Sequence, residues 1–186
     1  GMRYYVSAKA IGPGDGSKER PFPTIQQAAA LAQPGDEILI GEGVYREWVS
    51  PPRGGTAQQP IVYRNVPGER PVISGAEIVQ GWRPYRNGVW TAAVPNTLFG
   101  SFNPYAEMLG GDWFDSFGRT HHLGEVFWNG QALNQAEDIF TQDVSRSWAC
   151  QVDDTETRLF IRCGDADPNQ ALIEISVRPH CFFPKE

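Results

Sequence analysis

Between Gly100 and Glu125 the chain gathers side chains able to do chemistry: Tyr105, Asp112, Trp113, Phe114, Asp115, Arg119, His121, His122 and Glu125. A pyranose presents apolar C–H faces and a rim of hydroxyls, so binding one takes an aromatic platform and planar polar groups. Trp113 offers the largest such face, Phe114 a second ring, and Asp112 a carboxylate to accept from hydroxyls. His121 and His122 are neighbours; on a strand they point to opposite faces, so one of the two can line a cleft. The competing reading packs Trp113 and Phe114 into a core and leaves the histidines capping loops.

Three rival chemistries fit the pattern less well. Adjacent histidines do not share a face, so His121 and His122 with Asp112 or Asp115 make a poor chelating set, and no metal is expected. Asp112, Asp115 and Glu125 could supply a hydrolytic carboxylate pair, which needs a separation of about 5 Å for retention or about 6.5–9.5 Å for inversion. Sequence spacing does not set that distance. Gly12, Gly14 and Gly16 imitate a nucleotide-binding fingerprint, but Pro13 lies inside it, no strand precedes it and no Lys-Ser/Thr follows in place. No cofactor is expected.

The elements that must position these groups are read from composition and punctuation. With 20 Gly and 15 Pro in 186 residues, a helical bundle is excluded, since both residues are poor inside helices. No apolar run is long enough to span a membrane. A net charge of −6 and a pI near 5.1 argue against a nucleic-acid partner, which would require clustered Lys and Arg. Gly1 before Met2 reads as the scar of a removed tag, and Tyr4-Tyr5-Val6-Ser7 lacks the apolar stretch of a signal peptide. A cytoplasmic location is the expectation. The odd set Cys150, Cys163 and Cys181 reads as reduced thiols.

Thr24-Ile25-Gln26-Gln27 fits a capping box, and Ile25, Ala28, Ala29, Leu31 and Ala32 supply an apolar stripe that Pro34-Gly35-Asp36 stops. One short helix is predicted there. Beyond it come bursts of two or three apolar residues: Ile38–Ile40, Val44-Tyr45, Trp48-Val49, Ile61–Tyr63 and Val72-Ile73. The step from Ile38–Ile40 to Ile61–Tyr63 is the length of one coil of a parallel β-solenoid, against the alternative of an irregular β domain. The helix would plug the solenoid's end, where strand edges are otherwise unpaired. From Gly81-Trp82 the strands lengthen: Val89–Val94, Glu125–Trp128, Trp148–Val152 and Arg158–Arg162. Asn129-Gly130 is a strong two-residue hairpin signal, since a type I′ turn needs positive φ at both centres. Residues 81–170 therefore read as an antiparallel β-sandwich. Ala171–Val177 alternates with period 2 and reads as a strand returning to the solenoid. The predicted domains are 2–80, 81–170 and 171–186.

Pro21–Ala29, Pro34-Gly35-Asp36 and Gly43–Val49 resemble the N-terminal cap and first coil of pectate-lyase-like right-handed β-helices. With Pro51–Thr56, Gly111–Phe114 and Gly118–Val126 added, the whole chain resembles the β-xylosidases of glycoside hydrolase family 120. The resemblance implies a parallel β-helix carrying an inserted β-sandwich, and retaining hydrolysis of xylo-oligosaccharides. It also implies that the catalytic Asp and Glu sit on later coils, so no residue here inherits either role and the chain alone is expected to be inactive. What remains is one wall of a xylose or xylo-oligosaccharide cleft, with Trp113, Asp112, Phe114, His121 and His122 as binding candidates. Homo-oligomer formation is expected, since an open solenoid end would expose Phe182-Phe183 and strand edges. The alternative is a stand-alone carbohydrate-binding or assembly module.

Overall fold

A computed structural model describes residues 1–106, 123–136, 138–140 and 146–178. The chain is mainly β, and its described residues divide into two compact units, Gly1–Gly75 with Arg178, and Ala76–Val177. No helix among the described residues is long and apolar enough to cross a membrane.

The first unit contains β1 (Arg3–Val6), α1 (Ile25–Leu31), β2 (Glu37–Ile40), β3 (Gly43–Tyr45), β4 (Val62–Asn65) and β5 (Pro71–Ile73). Strands β1, β2 and β4 form one parallel sheet in that order, and β3 pairs in parallel with β5. The expected recurrence is present with a shifted register: Ile38 faces Tyr63 rather than Ile61. Strand β1 is an addition, because Tyr4-Tyr5-Val6 carries β propensity but no repeat to mark it. Val49 is fully buried as an isolated bridge residue, so the Trp48-Val49 burst is not a strand of its own.

Helix α1 has only seven residues, too few to be stable in isolation. Its apolar side, Ile25, Ala28 and Ala29, packs with Val6, Ile38, Ile40, Tyr45 and Val49. The predicted capping box forms: the Thr24 hydroxyl accepts from the Gln27 amide at 3.2 Å, and Gln27 Oε1 accepts from the Thr24 amide at 3.2 Å. Two residues distant in sequence complete the ends. The Glu47 carboxylate accepts from the Ile25 and Gln26 amides at 2.9 and 3.0 Å. Arg53 donates to the carbonyls of Ala30 and Ala32 at 2.9 and 2.8 Å. Each charge opposes the partial charge of the end it meets.

Two further polar anchors hold this unit. Asp36 is buried and accepts from Met2 N at 2.7 Å and Gln33 N at 2.8 Å. The Tyr45 hydroxyl accepts from Ala8 N at 2.9 Å and donates to Gly41 O at 2.7 Å.

The second unit contains β6 (Ala76–Ile78), β7 (Arg83–Arg86), β8 (Val89–Pro95), β9 (Val126–Trp128), β10 (Gln131–Ala132), β11 (Asn134–Gln135), β12 (Ser147–Val152), β13 (Glu156–Arg162) and β14 (Ile173–Ser176). One sheet runs β11-β12-β13-β8-β7 and the other β10-β9-β14-β6. Trp148, Leu159 and Ile161 of the first share one core with Val126, Trp128, Ile173 and Ile175 of the second. Asn129 and Gly130 adopt φ of 47° and 83° between the antiparallel β9 and β10, as the predicted turn requires.

Two boundaries differ from the sequence reading. Strand β6 pairs with β14, which moves the unit's start from Gly81 to Ala76. Strand β14 also pairs with β9, so the expected return strand belongs to this unit and not to the parallel one. The period-2 pattern buries Ile173, Ile175 and Val177 as predicted. Alternation specifies that one face is buried but not which sheet the strand joins.

Candidate functional site

The five binding candidates, Asp112, Trp113, Phe114, His121 and His122, lie outside the described residues, as do Asp115 and Arg119. The structure describes the two chain ends from which this stretch departs and to which it returns. On the departing side, Asn103 is half-buried, Pro104 and Tyr105 are buried and Ala106 is exposed; on the returning side, Gly124 is buried and Leu123 and Glu125 are exposed.

Tyr105 is fully buried. Its ring lies 5.6 Å from Phe99 and edge-on to Trp148 at 5.7 Å between centroids. Its hydroxyl lies 2.8 Å from Glu125 O, 2.9 Å from Ser176 O and 3.2 Å from Ser176 Oγ. Burial holds the phenol neutral by raising its pKa well above the ordinary value, against the lowering effect of those hydrogen bonds. Tyr105 is therefore a packing and anchoring residue, its ring and hydroxyl both engaged inside the second unit. Glu125 is held by its backbone, whose amide donates to Ser176 Oγ at 2.8 Å.

A polar chain, buried at Thr157 and half-exposed at Asn103 and Asn96, supports the departing side. Asn103 Oδ1 accepts from Tyr105 N at 2.9 Å, and Asn103 Nδ2 donates to Thr157 Oγ1 at 2.9 Å. Thr157 is fully buried and donates to Asn96 Oδ1 at 2.8 Å. Asn96 Nδ2 donates to Asp153 O at 2.7 Å. Neither Ser176 nor Asn103 was a candidate from sequence, because their partners lie up to 71 residues away. No local motif marks such a pairing.

Elsewhere the chemistry is quiet. Burial pushes the thiols of Cys150 and Cys163 up to about 12, so both are protonated and unreactive at neutral pH. Cys181 lies outside the described residues. No group of three His, Cys, Asp or Glu residues that could hold a metal occurs among the described residues. In the first unit, Ser7, Lys9, Ile11, Glu19 and Arg20 border a 560 Å³ depression. Arg20 is engaged there by Asp15 at 2.6 Å. Asp15 is lowered to about 2, chiefly by hydrogen bonds from Ser17 and further by Arg20. The Gly12, Gly14 and Gly16 turns, all at positive φ, shape this loop.

Comparison with known proteins turns on the second unit. Residues 79–144 match the family model described as the glycoside hydrolase 120 insertion domain. The solved structure entitled "The complex structure of XylC with xylose" superposes on 100% of this chain with a TM-score of 0.87 and 34% identity. The chain covers 33% of that structure. A curated relative, the uncharacterized protein YwoF of Bacillus subtilis (strain 168), is 38% identical over 74 residues, which is 40% of this chain and 16% of YwoF.

Proposed function

We propose, from the premise that this chain belongs to glycoside hydrolase family 120 and carries its insertion domain, that it supplies one wall of a cleft for xylose or short xylo-oligosaccharides. The observation that carries this reading is the superposition on XylC over the whole chain at 34% identity, XylC itself having been solved with xylose. In this reading the first unit begins a right-handed parallel β-helix, supported by the parallel registers of β1, β2 and β4 and of β3 and β5. The second unit is an inserted β-sandwich, supported by two sheets sharing one core. Trp113 stacks on a xylosyl face, Asp112 accepts from its hydroxyls, and Phe114 with His121 or His122 borders the ring.

The parent reaction is retaining hydrolysis of xylo-oligosaccharides. One carboxylate attacks the anomeric carbon while an acid protonates the departing oxygen. By the resemblance to that family the two carboxylates would come from later coils, and in this reading the chain contributes binding rather than turnover. Cytoplasmic location and self-association complete the proposal. A stand-alone binding or assembly module is favoured only insofar as β4 and β5 end their parallel sheets among the described residues, edges that a second copy can cover.

Xylobiose titration followed by Trp emission tests the reading. The wild-type chain is expected to respond and Trp113→Ala to lose the response, with no hydrolysis of aryl β-xylosides by either. Turnover by the wild-type chain that disappears in Asp112→Ala or Glu125→Ala would overturn the assignment of catalysis elsewhere.

A further inference from the structure

We propose that the outer face of the five-stranded sheet, at its β7 edge, binds a carboxylated sugar. The ligand is a uronic-acid residue whose ring stacks on Tyr85 and whose carboxylate is taken by Arg83 and Arg86. The site is separate from the xylosyl wall proposed above. Only the choice of a glycan as the carrier of the carboxylate rests on that reading.

Register puts these side chains on one face. Phe160 of β13 lies opposite Thr91 of β8, and Thr91 lies opposite Arg83 of β7, so all three point the same way. Between Pro84 and Arg86 the pairing slips: β7 advances two positions while β8 advances one, from Trp90 to Val89. Such a bulge re-aims side chains. Unbroken alternation would send Tyr85 and Arg86 to opposite faces. Here the Arg86 guanidinium carbon lies 5.7 Å from the Tyr85 ring centre and 4.3 Å from that of Phe140.

The platform is open yet held. Tyr85 is 53% exposed, and its ring is braced edge-on by Phe160 at 5.5 Å and by Phe140 at 5.7 Å between centroids. Stacking occupies the flat face of Arg86 and none of its N–H donors. Arg83 is exposed, and its guanidinium has no partner among the described residues. A third cation, Arg162, lies opposite Val89 and donates to the carbonyls of Ile139 at 2.7 Å and Asn87 at 3.0 Å rather than to a carboxylate. Of the described acids nearby, Glu156 is engaged by Arg158 at 3.1 Å, and Asp138 accepts the Phe140 amide at 3.0 Å. Three guanidinium groups without an ion pair therefore surround one exposed ring, in a chain of net charge −6.

A uronic acid complements both features. Its C–H face fits an aromatic ring, and its carboxylate, at the edge of the sugar ring, meets planar donors on either side along β7. A neutral sugar would leave the charges unused, and a small anion would leave the ring unused. Duplex nucleic acid carries one charge per about 1.7 Å and is repelled by the chain's net charge, whereas a glycan with a single carboxylate is not.

The test titrates the full chain with xylotriose bearing one glucuronic-acid branch, with the same oligosaccharide after reduction of its carboxyl to an alcohol, and with acetate. NMR of the backbone amides of 83–86 and of the arginine Nε–H groups reads this site alone. The acidic oligosaccharide is expected to shift the Tyr85 amide and the Arg83 and Arg86 Nε–H signals saturably, with about ten times the affinity of the reduced one, and less tightly as salt is raised. Acetate at the same concentration is expected to leave these signals unmoved. Tyr85→Ala should bind about tenfold more weakly, and Arg83→Ala, whose side chain has no hydrogen-bond partner to lose, about fivefold. Equal affinity for the reduced oligosaccharide, or wild-type affinity in Arg83→Ala, overturns the role of charge. Undiminished binding by Tyr85→Ala overturns the platform. Equal shifts with acetate overturn recognition of a sugar, and tighter binding of an oligothymidylate overturns the choice of a glycan. If these shifts appear while xylobiose draws no Trp response, the xylosyl wall fails and this site stands; the reverse pattern sinks this site alone.

Discussion

The two units of this chain reach order by different means. In the second, Leu159, Ile161, Ile173, Ile175 and Val126 are essentially inaccessible, and Trp128 and Trp148 fill the space between two sheets. In the first, the parallel strands are three or four residues long, and the helix contributes Ala28 and Ala29 where larger side chains would bury more area. Beside a smaller core of Val6, Ile25, Ile38, Ile40 and Val49, it relies on polar anchors: Asp36 on Met2 and Gln33, Tyr45 on Ala8 and Gly41, Glu47 and Arg53 on the two ends of α1. Short parallel strands bury little by themselves, so the physics that remains is the satisfaction of backbone groups that would otherwise be stranded. The second unit is core-held, the first anchor-held.

The largest effect that can test this contrast is a cavity at the centre of the second unit. Leu159 sits in β13, hydrogen-bonded on both sides by β12 and β8, with no accessible surface. Leu159→Ala removes three carbons from a closed core, at a cost of about 2–5 kcal/mol. Amide hydrogen exchange should show faster exchange through β8, β12 and β13 while β1 and β2 keep their wild-type rates. Equal acceleration in β1 and β2 would mean that the two units open as one, and the contrast would lose its energetic meaning.

A second effect lies on the anchor side and carries a sign. Hydrogen bonds from Gln33 and Met2 hold the Asp36 carboxyl below its ordinary value despite its burial. A pKa depressed by folding contributes stability above the unfolded carboxylate range near 4, and that contribution is lost as pH falls through the folded value. Asp36→Asn keeps one acceptor and loses the charge. Its exchange protection in β1 and β2 should be lower than wild type at pH 7, and the difference should shrink as pH drops below about 4. A gap that stays constant with pH would show that the carboxylate's charge is irrelevant and that only its shape matters.

The same contrast explains what was legible in the sequence. Period-2 alternation, the Asn129-Gly130 turn and the Thr24–Gln27 capping box are local signals, and each maps onto an observed element. What escaped were partners distant in the chain: the membership of β14, Glu47 and Arg53 on α1, and Ser176 under Tyr105. An anchor is a pair of groups each ordinary in its own neighbourhood, and only the fold makes it a pair. The dense stretch holding Trp113 and His121 was visible by residue type alone. The pairing of Tyr105 with Glu125 and Ser176 was not, because it joins residues that lie up to 71 positions apart.

The smallest predicted effect is the most discriminating for the anchor-held unit. Glu47→Gln keeps one acceptor oxygen for the Ile25 and Gln26 amides, which use separate carboxylate oxygens in the wild type, and removes the negative charge facing the N-terminal end of α1. A charge at that position contributes about 0.3–1 kcal/mol, screened by salt. The expected result is a small fall in exchange protection of α1 and β2 whose charge-dependent part shrinks at high ionic strength, with β13 unaffected. Burial of Ile25, Ala28 and Ala29 is the same in both proteins, so a salt-dependent difference isolates the anchor from the core. No difference at any salt concentration would mean that these three side chains suffice to hold α1. The first unit would then be held as the second is, by its core, and the charged groups at both helix ends would be consequences of the fold rather than causes of it.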